Sequence, residues 1–505
     1  MFEFSVARKY LIPKKRQLSV SLIGLLSVLV ISLVVWLLLV FLSVMDGIEK
    51  RWLDKLTTLH APLRINPSGD YYNSYYYLVD GKSHASDYTY KTIGEKRSSP
   101  SSDPYSPEED SELGDDLPAP ARDADGNVKD PVKGVFAILE RIKEKQTGFA
   151  FQDYEMSGGL LRLELLRQGE NNTSQRTRSF LSQVSYFATL SKQNPALDTL
   201  LLPVTTREHN HQEFLTTTLG AEMKGEGLFL PKSFQDGGVL VGDRGYVSYP
   251  AATLGAVQEQ RIPVHVEGFY DPGIMAVGTR CILAPPTVVR AIAISQGAYT
   301  LDPTLANGIQ VWFSDLGKAV EIKHEIQKAL QEAGLDSYWK VSTFREYDFA
   351  KDLLEQFQSD KLLFTLIGVI ILIVACCNII SLLVLLVNDK KREIGILQAM
   401  GASPRSISLI FAFCGSALGI LGCLIGTGCA LITLHEIDAV VHFLSFLQGH
   451  EAFNAAFYGK TLPRELSMDA LLFVLITTPI LSLLAGLIPA LKASRLKPAE
   501  ILRSE

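Results

Sequence analysis

The sequence lacks the features of a nucleic-acid-binding or disulfide-stapled protein. Its 505 residues carry a formal net charge of -6, whereas binding phosphates needs a basic face, so nucleic acid is excluded as a partner. Of the six cysteines, only Cys281 lies outside long apolar runs, and this excludes a disulfide framework within the chain. The other five thiols are interpreted as small packing residues inside those runs.

Motifs for catalysis are also missing. Residues 81–83 (GKS) and 459–461 (GKT) each end like a phosphate-binding loop, but the glycine required five positions earlier is absent from both. The sequence contains no GxSxG, HExxH or CxxC pattern. We therefore predict that this chain is not an enzyme, has no catalytic residues and binds no cofactor.

A metal site has one candidate group, His209 and His211 with Glu208 and Glu213. Carboxylate and imidazole side chains can ligate zinc, but this pair of histidines lacks the spacing of a closed site. The favoured interpretation is a solvated charged loop, so no metal is predicted.

Long apolar runs are what the sequence does have. Hydrophobic residues make up 47% of the chain, and they concentrate in four stretches without Asp, Glu, Lys or Arg. Each is long enough to cross a bilayer as a helix: residues 18–44, 362–387, 407–434 and 471–491. The first is too long for a cleavable signal peptide. The absence of ionisable groups argues against an ion-coupled carrier or pump, which uses such groups as relays.

Basic residues predict the orientation of these spans. Lys and Arg cluster in 1–17, 388–406 and 492–505, which indicates that both termini and the middle connection are cytoplasmic. Residues 1–17 mix aromatic and basic side chains and are predicted to be an interfacial segment. The regions 45–361 and 435–470 would then lie outside, the second as a loop.

The large external region, 45–361, reads as an α+β domain. Short apolar or alternating runs predict strands at 160–166, 200–204, 239–241, 263–269 and 309–313. Helical periodicity covers 316–333, and a second amphipathic stretch, 347–359, is predicted to continue into the second span. Residues 67–131 are rich in Ser, Tyr, Asp and Pro, and are predicted to form a largely disordered acidic insertion.

The connection between the second and third spans carries the sharpest signal. Residues 389–403 (DKKREIGILQAMGAS) begin charged and turn amphipathic, with Ile394, Leu397 and Met400 or Gly401 on one side. Gly401 is suited to end this helix, while Ser403 and Pro404 can cap and start the next one. Such a helix, rigidly connected to two spans, could be bound by a soluble motor protein. The alternative is an ordinary interfacial connector.

These residues also carry a resemblance to a known family. Residues 389–403, 489–493 (PALKA) and 498–503 (PAEILR) resemble the coupling-helix and C-terminal patterns of the FtsX/MacB-type ABC permease superfamily. Within it, the sequence is most similar to the LolC/LolE lipoprotein-releasing permeases. That similarity rests on residues 42–49 (LSVMDGIE), which resemble the family's SVMNGFE pattern, and on 264–273 (VHVEGFYDPG) and 375–381 (ACCNIIS).

The resemblance implies a fold and a function. The fold would be a MacB/FtsX-like permease, membrane α-helical with four transmembrane helices plus an α+β extracytoplasmic domain. The chain would pair with a second permease subunit, identical or homologous, and be driven by a LolD-like ATPase dimer that binds the ATP. The assembly would extract acylated lipoproteins from the bacterial inner membrane and pass them to a LolA-like periplasmic carrier. Two alternatives stay open, a MacB-like extruder of peptides or small molecules and an FtsX-like regulator of a periplasmic hydrolase.

Two groups of site residues follow. The ATPase-coupling residues are predicted to be Lys391, Arg392, Glu393, Ile394, Leu397, Met400 and Gly401. The lipoprotein-binding residues are predicted to be Met45, Ile48, Leu362, Leu363 and Leu366. Met45 and Ile48 lie one helical turn apart where the first span leaves the bilayer, so both can face one apolar surface for acyl chains. The alternative is that they merely pack against the second span.

Overall fold

The computed structural model describes most of the chain. The residues described are 6–7, 18–112, 117–122, 126, 128–168, 176–190, 197–219, 225–252, 256–272, 281–294, 306–450 and 462–494. Most of the predicted interfacial segment 1–17 and of the tail 492–505 lies outside these residues. The chain divides into two units, Met1–Arg51 with Leu353–Glu505, and Trp52–Asp352. We call the first the helical unit and the second the sheet unit.

The helical unit contains the long apolar helices. Its elements are α1 (Leu18–His60), α11 (Asp348–Asp389), α12 (Lys391–Ala399), α13 (Pro404–His435), α14 (Ile437–Gln448) and α15 (Met468–Ser494), where α1 and α11 also extend beyond this unit. Among the described residues, four of these helices (α1, α11, α13 and α15) are long and apolar enough to cross a membrane. The predicted continuation of 347–359 into the second span is confirmed by the unbroken α11. The region 435–470 is predicted to be a loop, and this prediction is wrong for residues 437–448, which form α14.

Glycines bring the apolar helices close together. A Cβ at Gly415 would lie 3.0 Å from Cα of Gly486 in α15, and one at Gly426 would lie 2.6 Å from the Ser32 carbonyl oxygen in α1. The two positions therefore let α13 approach two neighbours at backbone distance. These glycines of α13 therefore serve helix packing within this chain.

The sheet unit is built on nine strands. They are β1 (Leu63–Pro67), β2 (Ala150–Gln168), β3 (Arg176–Thr189), β4 (Glu226–Pro231), β5 (Arg244–Ala252), β6 (Val257–Tyr270), β7 (Cys281–Ala284), β8 (Asn307–Trp312) and β9 (Trp339–Thr343). The helices between them are α2 (Gly69–Tyr72), α3 (Tyr75–Leu78), α4 (Ile93–Ser98), α5 (Pro131–Lys145), α6 (Leu197–Leu200), α7 (Thr206–Leu219), α8 (Lys232–Asp236), α9 (Pro286–Ile294) and α10 (Ala319–Glu332).

Six of the strands close into a barrel. The order is β3-β7-β4-β6-β5-β2, and β2 pairs back onto β3 along thirteen positions, from Met156 opposite Ala188 to Gln168 opposite Arg176. Alternate residues point inward, so the interior is filled by branched aliphatic and aromatic side chains. Its fully buried members include Leu161, Leu228, Val247, Val264, Val266 and Ile282.

The long strand β2 also belongs to a second sheet. Residues 160–164 pair with β5 of the barrel, whereas residues 150–155 pair with β8, giving the order β2-β8-β1-β9. In this sheet β1 lies between β8 and β9 and is antiparallel to both. Helix α10 packs on β9 and on α5. The α5 helix begins where Asp130 accepts the Lys133 N–H at 2.8 Å and Pro131 occupies the first turn.

Three of the five predicted strands are confirmed and two are wrong. Residues 160–166, 263–269 and 309–312 lie in β2, β6 and β8. Residues 200–204 make only one isolated bridge, Leu201 with Tyr270, and residues 239–241 form a turn. That turn is apolar because Val239 and Val241 are buried in the barrel core, with left-handed Gly238 and Gly242 redirecting the backbone on either side. Residues 239–241 therefore have the apolar composition of a strand because they are buried, although they pair with no other strand.

The predicted disorder of 67–131 is wrong for residues 68–112. This segment contains α2, α3 and α4, and its tyrosines Tyr71, Tyr75 and Tyr76 are buried. Tyrosine rings supply apolar area that a count of polar residues conceals. Of the acidic residues in this insertion, Asp115 and Asp116 lie outside the described residues.

Candidate functional site

The connection between α11 and α13 is a short, well-capped helix. After α12, the Ala402 N–H donates to the Leu397 carbonyl at 2.9 Å and the Gly401 N–H donates to Gln398 at 3.0 Å. These two hydrogen bonds form a Schellman motif, which needs the positive φ of +98° that Gly401 adopts. Ser403 then caps α13 by accepting the Ser406 N–H at 3.2 Å. The predicted helix end and restart are confirmed.

The predicted coupling residues divide between two faces of α12. Ile394 is 1% exposed and belongs to the core of the helical unit, and Leu397 is half-buried. Met400 is 79% exposed, so the structure does not place it on the buried side with Ile394. Lys391, Arg392, Glu393 and Gly401 are exposed as well.

One residue of the outward face was missed from sequence. Ile396 is 45% exposed and lies one turn before Met400, so α12 presents two apolar side chains beside a charged first turn. Lys390 fixes that turn by donating to the Glu393 carboxylate at 2.7 Å. The helix is thus anchored on one side and offers a contact surface on the other.

A second site surrounds the stretch of α1 that follows its predicted span. The Asp46 carboxylate pairs with Lys361 of α11 at 2.5 Å and accepts a hydrogen bond from the Ser467 hydroxyl. Ser467 in turn caps α15 by accepting the Ala470 N–H at 3.2 Å. One carboxylate therefore ties together three helices that are far apart in sequence.

The next residue allows a close crossing of the chain. A Cβ at Gly47 would lie 2.3 Å from Cβ of Pro463, so any larger side chain would displace the proline. Pro463 belongs to residues 462–467, a segment without helix or strand that we call the strap. The strap is further held by ion pairs from Glu465 to Lys50 at 3.3 Å and from Arg464 to Asp438 at 2.6 Å.

The predicted lipoprotein-binding residues are not all on one open surface. Ile48 is 5% exposed and packs in a small cluster with Ile437 of α14 and Leu462 of the strap. Met45 is half-buried. Leu362, Leu363 and Leu366 are exposed, at 71%, 50% and 57%. Asp46, Gly47 and Lys361 were missed from sequence, although the first two lie inside the 42–49 pattern that carried the family resemblance.

The candidate metal group is part of a buried ion network in the sheet unit. Arg167 makes two 2.7 Å hydrogen bonds to the Asp243 carboxylate, and His211 lies 2.9 Å from the same group. Burial raises the pKa of Asp243, but the hydrogen bonds from Arg167 and His211 outweigh burial and leave the pKa below its ordinary value. Glu208 is buried at the start of α7 and accepts from Thr205 and Gln235. The interpretation as a solvated loop is therefore wrong, and the described residues hold no metal-binding cluster.

Known proteins resemble parts of this chain, above all its C-terminal part. The family described as FtsX-like permease C-terminal matches residues 365–498, which include most of the apolar part of α11 and all of α12, α13, α14 and α15. The chain is 34% identical to the lipoprotein-releasing system transmembrane protein LolE of Haemophilus influenzae over 27% of this chain and 33% of that protein. It is 29% identical to LolC of Neisseria meningitidis over 41% of this chain and 48% of that protein, and 26% identical to LolC of Xylella fastidiosa over 38% and 52%. Residues 365–498 are thus an FtsX-like permease domain, and the chain is similar to LolC and LolE lipoprotein-releasing proteins.

The similarity to FtsX-like permeases fits the first site. Such permeases are membrane subunits of ABC transporters, and the matched segment contains the whole connection between α11 and α13. The chain spans only about a third to a half of the length of these relatives. Activity, substrate and partners of the whole protein are therefore taken up as proposals.

Proposed function

We propose that this chain is the membrane subunit of an ATP-driven transporter that extracts acylated lipoproteins from the inner membrane for a periplasmic carrier. The observation that carries the proposal is α12, which is anchored in the helical unit through Ile394 and presents Met400 outward. The named lipoprotein-releasing relatives supply the substrate class. In this arrangement both termini and α12 are cytoplasmic, and the sheet unit is periplasmic.

The ATPase partner would grip the outward face of α12. Ile396 and Met400 offer apolar contacts, and the charged first turn offers a polar rim, which is the usual anatomy of a protein interface. Because the Schellman motif and the Lys390–Glu393 pair stiffen both ends, a push on this face would be transmitted to α11 and α13. The ATP itself is bound by the partner, which we propose to be a LolD-like dimer beneath two permease subunits.

A charge on this face tests the assignment. Met400→Glu should weaken co-purification with the ATPase and abolish ATP-driven transport while leaving the helical unit folded, because the side chain is 79% exposed. Met468→Glu, at a methionine that is 68% exposed at the start of α15, is the matched control and should keep ATPase binding. Unchanged assembly and transport in Met400→Glu would remove α12 from this role.

The acyl chains would enter beside α1 and α11. The exposed Leu362, Leu363 and Leu366 offer an apolar surface next to the Asp46–Lys361 pair, and half-buried Met45 adjoins it on α1. A photo-crosslinker at Met45 or Leu362 should capture lipoprotein in membranes without ATP and lose it once ATP is added. Capture of neighbouring helices alone in both states would contradict this entry route.

The carrier would dock on the ribbon formed by β2 and β3. Phe180 is 72% exposed and Val184 is 45% exposed, both on the outer side of β3, and exposed aromatic side chains commonly anchor protein contacts. Phe180→Glu should reduce transfer to the carrier without changing ATP hydrolysis. Val257→Glu, at a residue that is 71% exposed at the end of the β5–β6 ribbon, is the control and should transfer normally.

Reconstitution tests the function as a whole. The chain with its ATPase in liposomes should release a triacylated lipoprotein to a soluble carrier only when ATP is present. Vigorous ATP hydrolysis without release would reject lipoprotein extraction, and would direct attention to the extruder or hydrolase-regulator alternatives.

A further inference from the structure

The short helix α14 has two apolar faces, and only one of them is packed. On the inner face, Ile437 is 4% exposed and clusters with Ile48, Leu462 and the half-buried Val441. On the outer face, Phe443 is 60%, Phe446 84% and Leu447 64% exposed. These three positions follow i, i+3, i+4 spacing, so they form one stripe along the helix.

The stripe continues a surface that faces lipid. α14 begins at Ile437, and only Glu436 separates it from His435, the last residue of the membrane-spanning α13. The last turns of α13 expose Leu431 at 49% and Ile432 at 69%, as a bilayer-facing helix does. A helix that starts at this depth and bears aromatic residues on its free face is placed to lie in the headgroup layer. Continuity with α13 favours lipid over a second protein as the occupant of the stripe.

The inner face of α14 and the strap together cover the part of α1 that follows its predicted span. Ile48 is buried beneath Ile437 and Leu462, and the strap is held against α1 by the contact of Pro463 with Gly47. We propose that α14 is an interfacial lid, held in the outer leaflet through Phe443, Phe446 and Leu447, and that it closes the apolar surface at Ile48 until the strap is displaced. This inference rests on the proposed function in one respect only, which is that the molecules admitted by the lid are the acyl chains of a lipoprotein.

Fluorescence quenching tests the contact with lipid. The fluorescence of the new tryptophan in Phe446→Trp is obtained by subtracting the fluorescence of the unsubstituted chain in the same nanodiscs. This difference should be quenched when the nanodiscs contain brominated phosphatidylcholine. Ile432→Trp is the positive control on the lipid-facing side of α13. Quenching of Phe446→Trp by aqueous iodide instead of bromolipid would place the stripe in water, and quenching by neither would place it against protein. Either result overturns the lid as proposed.

Cysteine access tests the cover over Ile48. The chain with Ile48→Cys, and with its exposed Cys377 and Cys429 replaced by Ala, should react slowly with a maleimide in membranes. Adding Gly47→Ala should speed labelling severalfold, because the new methyl group would lie 2.3 Å from Pro463. Gly428→Ala, where a Cβ meets nothing within 4 Å, is the matched control and should leave the rate unchanged.

A rescue keeps this test decisive. If Gly47→Ala impairs folding, the further change Pro463→Ala should restore folding and still give fast labelling, since it removes the ring that holds the strap. Fast labelling of Ile48→Cys alone, or labelling unaffected by both changes, would refute the lid. None of these measurements uses lipoprotein transport, so a lid that passes them survives even if release of lipoprotein is disproved.

Discussion

Replacing Asp80 by Asn should unfold the tyrosine-rich segment 68–112 locally. The Asp80 carboxylate lies 2.7 Å from the Lys96 ammonium, and the two side chains are only 3% and 5% exposed. Lys96 also donates to the Tyr76 carbonyl and lies 4.0 Å from the centre of the Tyr76 ring. Removing one partner of such a pair leaves a buried charge and costs about 3–5 kcal/mol.

Hydrogen exchange on the full chain in nanodiscs measures this cost. A loss of about 3–5 kcal/mol should lower amide protection in 68–112 by about two to four powers of ten. Glu332→Gln is the matched control, because its pair with Lys328 is 4.0 Å long with both side chains 69% exposed. Breaking that pair should cost less than about 1 kcal/mol. Equal, small effects of the two substitutions would refute the claim that the segment is packed around the Asp80–Lys96 pair.

The pH dependence of the same variant supplies a signed check. Burial lowers the pKa of Lys96 below its ordinary value, and the Asp80 carboxylate opposes that shift. Asp80→Asn removes the opposition, so the folded state should hold fewer protons than the unfolded state over a wider range below pH 10.5. The deficit in stability should therefore shrink as pH rises from neutral towards 10.5, after correction for intrinsic exchange rates.

Three further predictions concern single positions. Gly401→Ala should destabilise the end of α12 by about 1–2 kcal/mol, because φ is +98° there, and should reduce ATPase coupling in reconstituted membranes. The pKa of Asp243 is held below its ordinary value despite burial. Its contribution to the stability of the sheet unit should therefore be present above the ordinary carboxyl pKa and be lost as pH falls through the pKa of the folded state. Asp243→Asn should remove this pH dependence, which an acid titration followed by near-ultraviolet circular dichroism would measure. Gly426→Val should push α13 away from α1 and lower the melting temperature in detergent, whereas Gly428→Val should not.

Local chemistry made α12 predictable from the sequence. A glycine that can adopt positive φ, followed by a serine cap and a proline, encodes a helix end and a helix start within four residues. Uncharged runs predicted the long helices equally well, because bilayer thickness alone fixes the required length. The sequence did not predict which side of α12 faces outward, because the burial of Ile394 and the exposure of Met400 depend on contacts with other helices.

Contacts between distant residues set the limit of that reasoning. Periodicity placed Met45 and Ile48 on one side of α1, but Leu462, which covers Ile48, lies more than four hundred positions along the chain. The buried turn at 239–241 had the composition of a strand and lacked only a pairing partner, which composition does not encode. The 68–112 segment was misjudged because its core consists of tyrosines and one buried ion pair.

The central place of β1 in its sheet has a consequence for biogenesis. β1 is made early, at Leu63–Pro67, yet both of its neighbours come from the far end of the sheet unit, at Asn307–Trp312 and Trp339–Thr343. During synthesis β1 must therefore wait, with both edges unsatisfied, until almost all of the sheet unit has been made. Pairings of such long sequence separation form slowly and expose strand edges to aggregation while they form. We therefore expect the pairing of β1 with β8 and β9 to be a slow, late step that limits the maturation of the chain.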